Sequence, residues 1–190
     1  MRKLIYYIAV SIDGYIAGPN GEFDFYPHDG EQMADLNADY PEFVPSHLRH
    51  HVGMAVDEPN RHCDTVVSGR GTWDAALSEG VTSPYAHMRQ YVLSSTLRLD
   101  DPNVELVAGD PVGLVRRLKQ QDGLDIYLCG GGNLAAQLVG EIDEMIVKSY
   151  PVLAGGGISM CTDGFAPTLF TPARRKEYGS GTLVTWFTRA

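Results

Sequence analysis

Ser68-Gly69-Arg70-Gly71-Thr72-Trp73 combines residue types that can hold a phosphate. The run Thr65-Val66-Val67 before it reads as a buried strand, and Asp74-Ala75-Ala76-Leu77 after it reads as a helix. Gly69 and Gly71 let the backbone come close to a ligand. The first N–H groups of a helix lack intrahelical partners and point at an anion. Arg70 adds a planar, permanently charged fork that matches phosphate oxygens. Ser94-Ser95 ends another predicted strand, where paired hydroxyls can bind a phosphate or serve a turn. Gly130-Gly131-Gly132 follows a third strand and opens a helix. That arrangement suits pyrophosphate, with no side chain in the way, and it also suits a tight turn with no ligand. The spacing is not Gly-x-Gly-x-x-Gly. All three segments fall at carboxyl ends of strands, where open α/β sheets bind ligands.

Two other sets of reactive side chains read as structural. His47, His50 and His51 have the i, i+3, i+4 spacing of one helix face, which can bind metal. No Glu or Cys pattern accompanies them, so a solvated face is expected and no metal. Cys63, Cys129 and Cys161 are far apart, odd in number and without a Cys-x-x-Cys pair. They read as reduced thiols of a cytoplasmic protein.

The elements that must position these groups follow from periodicity. Residues 3–11 read as a central strand, and Tyr15-Ile16-Ala17 resumes after Asp13-Gly14. The N-terminal run is too short for a membrane span and has no convincing cleavage site. Residues 22–62 are polar with interspersed aromatics, suited to short helices and loops over a pocket. Strands are expected at 64–68, 90–93, 104–107, 125–129 and 142–150, and helices at 71–78, 110–121 and 133–139. Asp110-Pro111 supplies an N-cap and a first-turn proline. Residues 178–181 and 182–188 read as a terminal hairpin or a bulged strand, and Gly155-Gly156-Gly157 as a loop. The pattern predicts one α/β domain over 1–190, with a mixed, mostly parallel central sheet flanked by helices and antiparallel strands at the C-terminus. With 190 residues, 44% hydrophobic and 21% charged, the chain can bury one core. Its net charge of −9 argues against nucleic acid as a partner, so an anionic ligand must be met by local groups.

Taken in order, four segments resemble the dihydrofolate reductase superfamily. They are Ile8–Ala17, Val67–Trp73, Val92–Ser95 and Cys129–Gly132. Ser11–Ala17, Tyr127–Gly132 and Pro151–Ile158 are most similar to the stand-alone form of the riboflavin-pathway deaminase–reductase C-terminal (RibD C-terminal-like) reductase domain. The His-x-Glu and Pro-Cys-x-x-Cys of a zinc deaminase are absent from the sequence. The resemblance implies a dihydrofolate-reductase-like fold, NADPH as hydride donor and a homodimer. It implies that Arg70, with Ser94 and Ser95, holds the adenosine 2′-phosphate. Gly69, Gly71, Thr72 and Gly130, Gly131, Gly132, Asn133 and Leu134 would hold the pyrophosphate. Ala9 and Ile16 would orient the nicotinamide through backbone groups. A cis peptide is expected between Gly130 and Gly131 by the same resemblance. Asn133 stands where dihydrofolate reductases often place a second arginine, so NADPH and NADH both stay open.

The implied reaction transfers hydride to a small heterocycle, nominally 5-amino-6-(5-phosphoribosylamino)uracil. Dihydrofolate or another pteridine is the alternative, and a non-catalytic nucleotide-binding protein is a third reading. The reduction also needs a proton. Asp13 is the carboxylate nearest the expected nicotinamide, though Asp-Gly is equally an Asx-turn signal. Asp24, between Phe23 and Phe25, is a second candidate. Asp29, Glu31, Asp35 and Asp39 share the same irregular stretch.

Overall fold

The computed structural model describes residues 1–27, 30–162 and 165–190, so Asp29 lies outside the described residues. Strand β1 (Leu4–Val10) is apolar on both faces because both are covered. Leu4 and Tyr6 enter one core cluster, while Ile5 and Tyr7 enter the other. A short β2 (Tyr15–Ala17) follows, then α1 (Glu31–Asp39), β3 (Cys63–Gly69), α2 (Arg70–Ser78), β4 (Arg89–Leu93) and β5 (Val104–Val107). Next come α3 (Pro111–Lys119), β6 (Asp125–Leu128), α4 (Gly132–Leu138), β7 (Glu144–Ser149), β8 (Ile158–Ser159), β9 (Phe170–Glu177) and β10 (Leu183–Arg189).

Eight strands form one sheet in the order β5-β4-β3-β6-β1-β7-β10-β9, and β2 pairs with β8 in a separate ribbon. Pairings from β5 to β7 are parallel; β10 runs antiparallel to both β7 and β9. Parallel strands need crossovers, and α2 (β3 to β4), α3 (β5 to β6) and α4 (β6 to β7) supply three of them. Leu114, Val115 and Leu118 of α3 and Leu134 and Leu138 of α4 bury one sheet face. Asp110 caps α3 by accepting from the Gly113 N–H at 2.9 Å, and Pro111 sits in the first turn, as the sequence indicates.

The opposite face is covered by α1 and by the chain from Tyr40 to His62. Two buried charges organise that cover. The Glu42 carboxylate, fully buried, accepts from the N–H groups of Arg61, His62 and Cys63. The Arg49 guanidinium, also fully buried, donates to the carbonyls of Pro41, Val56 and Glu58.

Two sequence expectations are corrected. Residues 178–181 are not a strand: Tyr178–Thr182 form the turn of the hairpin, and the partner of β10 is the more polar β9. Its run Arg174-Arg175-Lys176-Glu177 hid the strand, because an edge strand exposed on one side tolerates charge. Gly130 and Gly131 are joined by a trans peptide; left-handed dihedrals at both glycines (φ 63° and 81°) make the turn instead.

Candidate functional site

Strands β3 and β6 are neighbours in the sheet, so the turns at their carboxyl ends meet. Gly69 is the N-cap residue of α2, and Gly131 that of α4; neither helix start carries a side-chain cap. The Asp110-capped start of α3 is the contrast. Uncapped N–H groups at a strand end are open donors for an anion. A Cβ built on Gly130 would stand 3.4 Å from Thr72 Oγ1, and one on Gly131 would stand 3.6 Å from it. The Thr72 hydroxyl therefore faces the glycine turn, and side chains there would occupy the space between them. Gly132 has a different cause. Its Cβ would fall 2.0 Å from the Ser159 carbonyl oxygen, so this glycine is required by the packing of β8. Leu134 is buried, and its Cβ lies 3.7 Å from the Cβ position of Gly69. Asn133 is exposed and accepts from Gln137 Nε2 at 2.8 Å.

Arg70 opens α2 and reaches sideways. Its Nε donates to Asp74 Oδ1 at 2.6 Å and its Nη1 to Thr96 Oγ1 at 3.2 Å. The pair with Asp74 is nearly half exposed on both sides. Ser94 Oγ accepts from the N–H groups of Thr96 and Leu97, which shapes the turn after β4, while Ser95 is exposed beside it. Arg70, Ser94 and Ser95 are thus gathered at one rim. Thr96 was missed, because a hydroxyl after Ser-Ser carries no signal of its own. Asp74 was legible as an i+4 ion-pair partner of Arg70.

Ala9 lies on β1 and Ile16 on β2, and the turn between the two strands is closed by Ser11 and Tyr15. The Ser11 N–H donates to the Tyr15 carbonyl at 2.9 Å, and the Tyr15 N–H to Ser11 Oγ at 3.0 Å. Asp13 is placed as an anchor. Its carboxylate accepts from Ser11 Oγ at 2.6 Å, Ala154 N at 3.0 Å and Gly155 N at 2.7 Å. The Ser11 hydroxyl and these backbone N–H groups hold its carboxyl down at about 2. Asp13 thus fastens the Gly155–Gly157 loop to the end of β1 and stays an anion at neutral pH. Asp24 is exposed, next to Phe25, whose ring packs at a tilt against Tyr26, which in turn packs on Tyr150. Asp35 and Asp39 face Lys176 and Arg174. His47 turns toward Glu79 while the His50 and His51 rings pack at a tilt against each other, and among the described residues no group of three side chains could hold a metal.

Sequence reasoning also missed Lys148. It stands on β7 in register with Ala9, and its ammonium lies over the Tyr7 ring, 4.3 Å from the centroid. It is 9% exposed, and burial pushes its pKa below the ordinary lysine range.

The sequence profile of the RibD C-terminal domain matches residues 2–184. The chain belongs to the RibD C-terminal domain family. Protein YwjB of Bacillus subtilis (strain 168), itself uncharacterised, is 30% identical over 181 residues, covering 94% of this chain and 93% of YwjB. A Shewanella sp. PV-4 protein assigned to riboflavin biosynthesis superposes with TM-score 0.72 at 25% identity, over 99% of both chains. Dihydrofolate reductase from Enterococcus faecalis, solved with NADP(H), shares the fold at TM-score 0.64 and 13% identity, over 98% of this chain and 96% of that one.

Proposed function

We propose that this protein is an NADPH-dependent reductase that reduces a small heterocycle, nominally 5-amino-6-(5-phosphoribosylamino)uracil. The observation that carries this reading is the convergence of the uncapped α2 start, Arg70 and Thr72 with the glycine turn after β6, where side chains are missing at Gly130 and Gly131. Such a cradle fits a dinucleotide pyrophosphate, with the Arg70 guanidinium placed for a further phosphate. Ala9 and Ile16 offer backbone groups for the nicotinamide. When bound, NADPH supplies the hydride.

Family membership supports this chemistry over a purely structural use of the fold. A pteridine-type acceptor is less well served. Among the described acidic residues of the 22–62 stretch, Asp24, Glu31 and Asp57 are exposed, Glu22 accepts from Asn20, Asp35, Asp39 and Glu58 face cations, and Glu42 is taken up by three backbone N–H groups. We further propose a cytoplasmic homodimer acting on a small molecule and not on nucleic acid, in keeping with the acidic net charge.

Fluorescence titration of NADPH and NADH on wild type and on Arg70→Ala tests the cofactor site. Wild type should bind NADPH, and Arg70→Ala should lose about tenfold, or about 1.4 kcal/mol. Binding of neither nucleotide to the wild type would sink the reductase reading.

A further inference from the structure

Lys148 is a buried ammonium with no anionic partner. Its Nζ makes no hydrogen bond or ion pair among the described residues and lies over the Tyr7 ring. By contrast, the other buried cations are compensated. Arg2 is paired with Asp64, Lys119 with Asp143, and Arg49 donates to three carbonyls. A largely buried charge without a counter-ion is costly to keep, so a lysine held this way calls for a function.

Its surroundings give one. Tyr7 of β1, Tyr150 just after β7 and Cys129 just after β6 are the titratable groups facing it, and none is a carboxylate. Burial pushes the Tyr7 and Tyr150 phenols and the Cys129 thiol up, so all three are neutral at pH 7. Tyr85 closes the wall through its contact with Cys129 at 3.4 Å, and Tyr26 does so through its packing on Tyr150. Among the described residues, the ammonium is therefore the charged member of this cluster of phenols and a thiol. It sits one strand over from Ala9, where the nicotinamide is placed by the reading above.

Of the two candidate carboxylates, Asp13 holds a loop and Asp24 is exposed to solvent.

We propose that Lys148 Nζ is the proton donor of the reduction, acting on the nitrogen of a C=N acceptor bound against the Tyr7–Tyr150 wall. This rests on the reductase reading. The acceptor carbon gains a hydride, the C=N π pair moves onto nitrogen, and that nitrogen takes a proton from Lys148 Nζ. The neutral amine then recovers its proton from water. A donor poised below the usual lysine value is better matched to work near neutrality than an ordinary ammonium.

The test has two arms. In the protein without nucleotide, the 13Cε resonance of Lys148, assigned with Lys148→Met, should titrate below the ordinary value of about 10.4. It should also shift when dihydrofolate or the phosphoribosylaminouracil is added. With NADPH and the same two acceptors, Lys148→Met should lose about 100-fold or more in kcat together with the alkaline limb of its pH profile. Its NADPH affinity should change by less than about tenfold, the drop expected of a lost phosphate contact. Lys148→Arg should keep acceptor binding and lose kcat, because a guanidinium does not give up its proton in this range.

The proposal is overturned if Lys148 titrates at its ordinary value, if neither acceptor perturbs it while NADPH binds, or if Lys148→Met keeps the wild-type pH profile. Failure of the wild type to bind NADPH is a separate result. It removes the reductase reading and this step with it, whatever the Lys148 titration shows.

Discussion

Arg70 shows how much a site depends on what its residues already hold. Its guanidinium is shared between Asp74 and Thr96, so a bound phosphate must compete with a carboxylate for it. Removing that competitor, as in Asp74→Asn, should raise NADPH affinity by up to about fivefold, the range an exposed ion pair spans, as read by the same fluorescence titration. Asp13 makes the opposite point. A carboxylate that looks reactive in the sequence is held by one hydroxyl and two backbone N–H groups. Its folded pKa, about 2, lies below that of an unfolded aspartate. The anchor therefore contributes fully above about pH 4 and is lost as pH falls toward 2. Amide exchange at Ala154 and Gly155, corrected for intrinsic rates, should lose protection across that window, and in Asp13→Asn at neutral pH as well.

At the scale of elements, identical residues serve different ends. Gly130 and Gly131 leave room beside Thr72, whereas Gly132 exists because Ser159 of β8 comes against the helix start. Gly132→Ala should destabilise by about 1–3 kcal/mol as β8 is pushed away, and thermal unfolding would show it. The segment between α1 and β3 has little regular structure, and its order depends on Glu42 and Arg49. Glu42→Ala would leave the N–H groups of Arg61, His62 and Cys63 without their acceptor. A loss of about 2–4 kcal/mol in urea unfolding is expected, larger than for surface substitutions in the same segment.

The whole molecule is organised by a sheet whose middle strands are covered on both faces and whose edges are not. β1 lies between β6 and β7, and the edges are β5 and β9. Native-state hydrogen exchange should therefore be slowest in β1, β3, β6 and β7 and fastest in β5 and β9. Uniform protection across the sheet would contradict this account. The acidic net charge belongs to this scale too: with −9 overall, the cations that matter are the few held locally, such as Arg70 at the rim and Lys148 over the Tyr7 ring.

Sequence by itself determined the strands and helices of the parallel half. The buried strand Leu4–Val10 is an apolar run, Cys63–Gly69 is centred on the β-branched Thr65-Val66-Val67, and α3 announces itself by Asp110-Pro111. It also singled out the glycine turn and Arg70, since backbone freedom and fixed charge are properties of residue type. Local pattern did not reveal β9, whose exposed side selects polar residues, or the trans geometry of the Gly130–Gly131 turn. Only the tertiary structure decided what each polar group faces. Asp13 became an anchor because residues 154 and 155 come to it from the far end of the chain, and Arg70 met Thr96 across a strand. Lys148 became an unpaired ammonium because β7 sets it beside Ala9 and over Tyr7. Pairing and burial arise between segments remote in sequence, so residue type and spacing do not encode them locally.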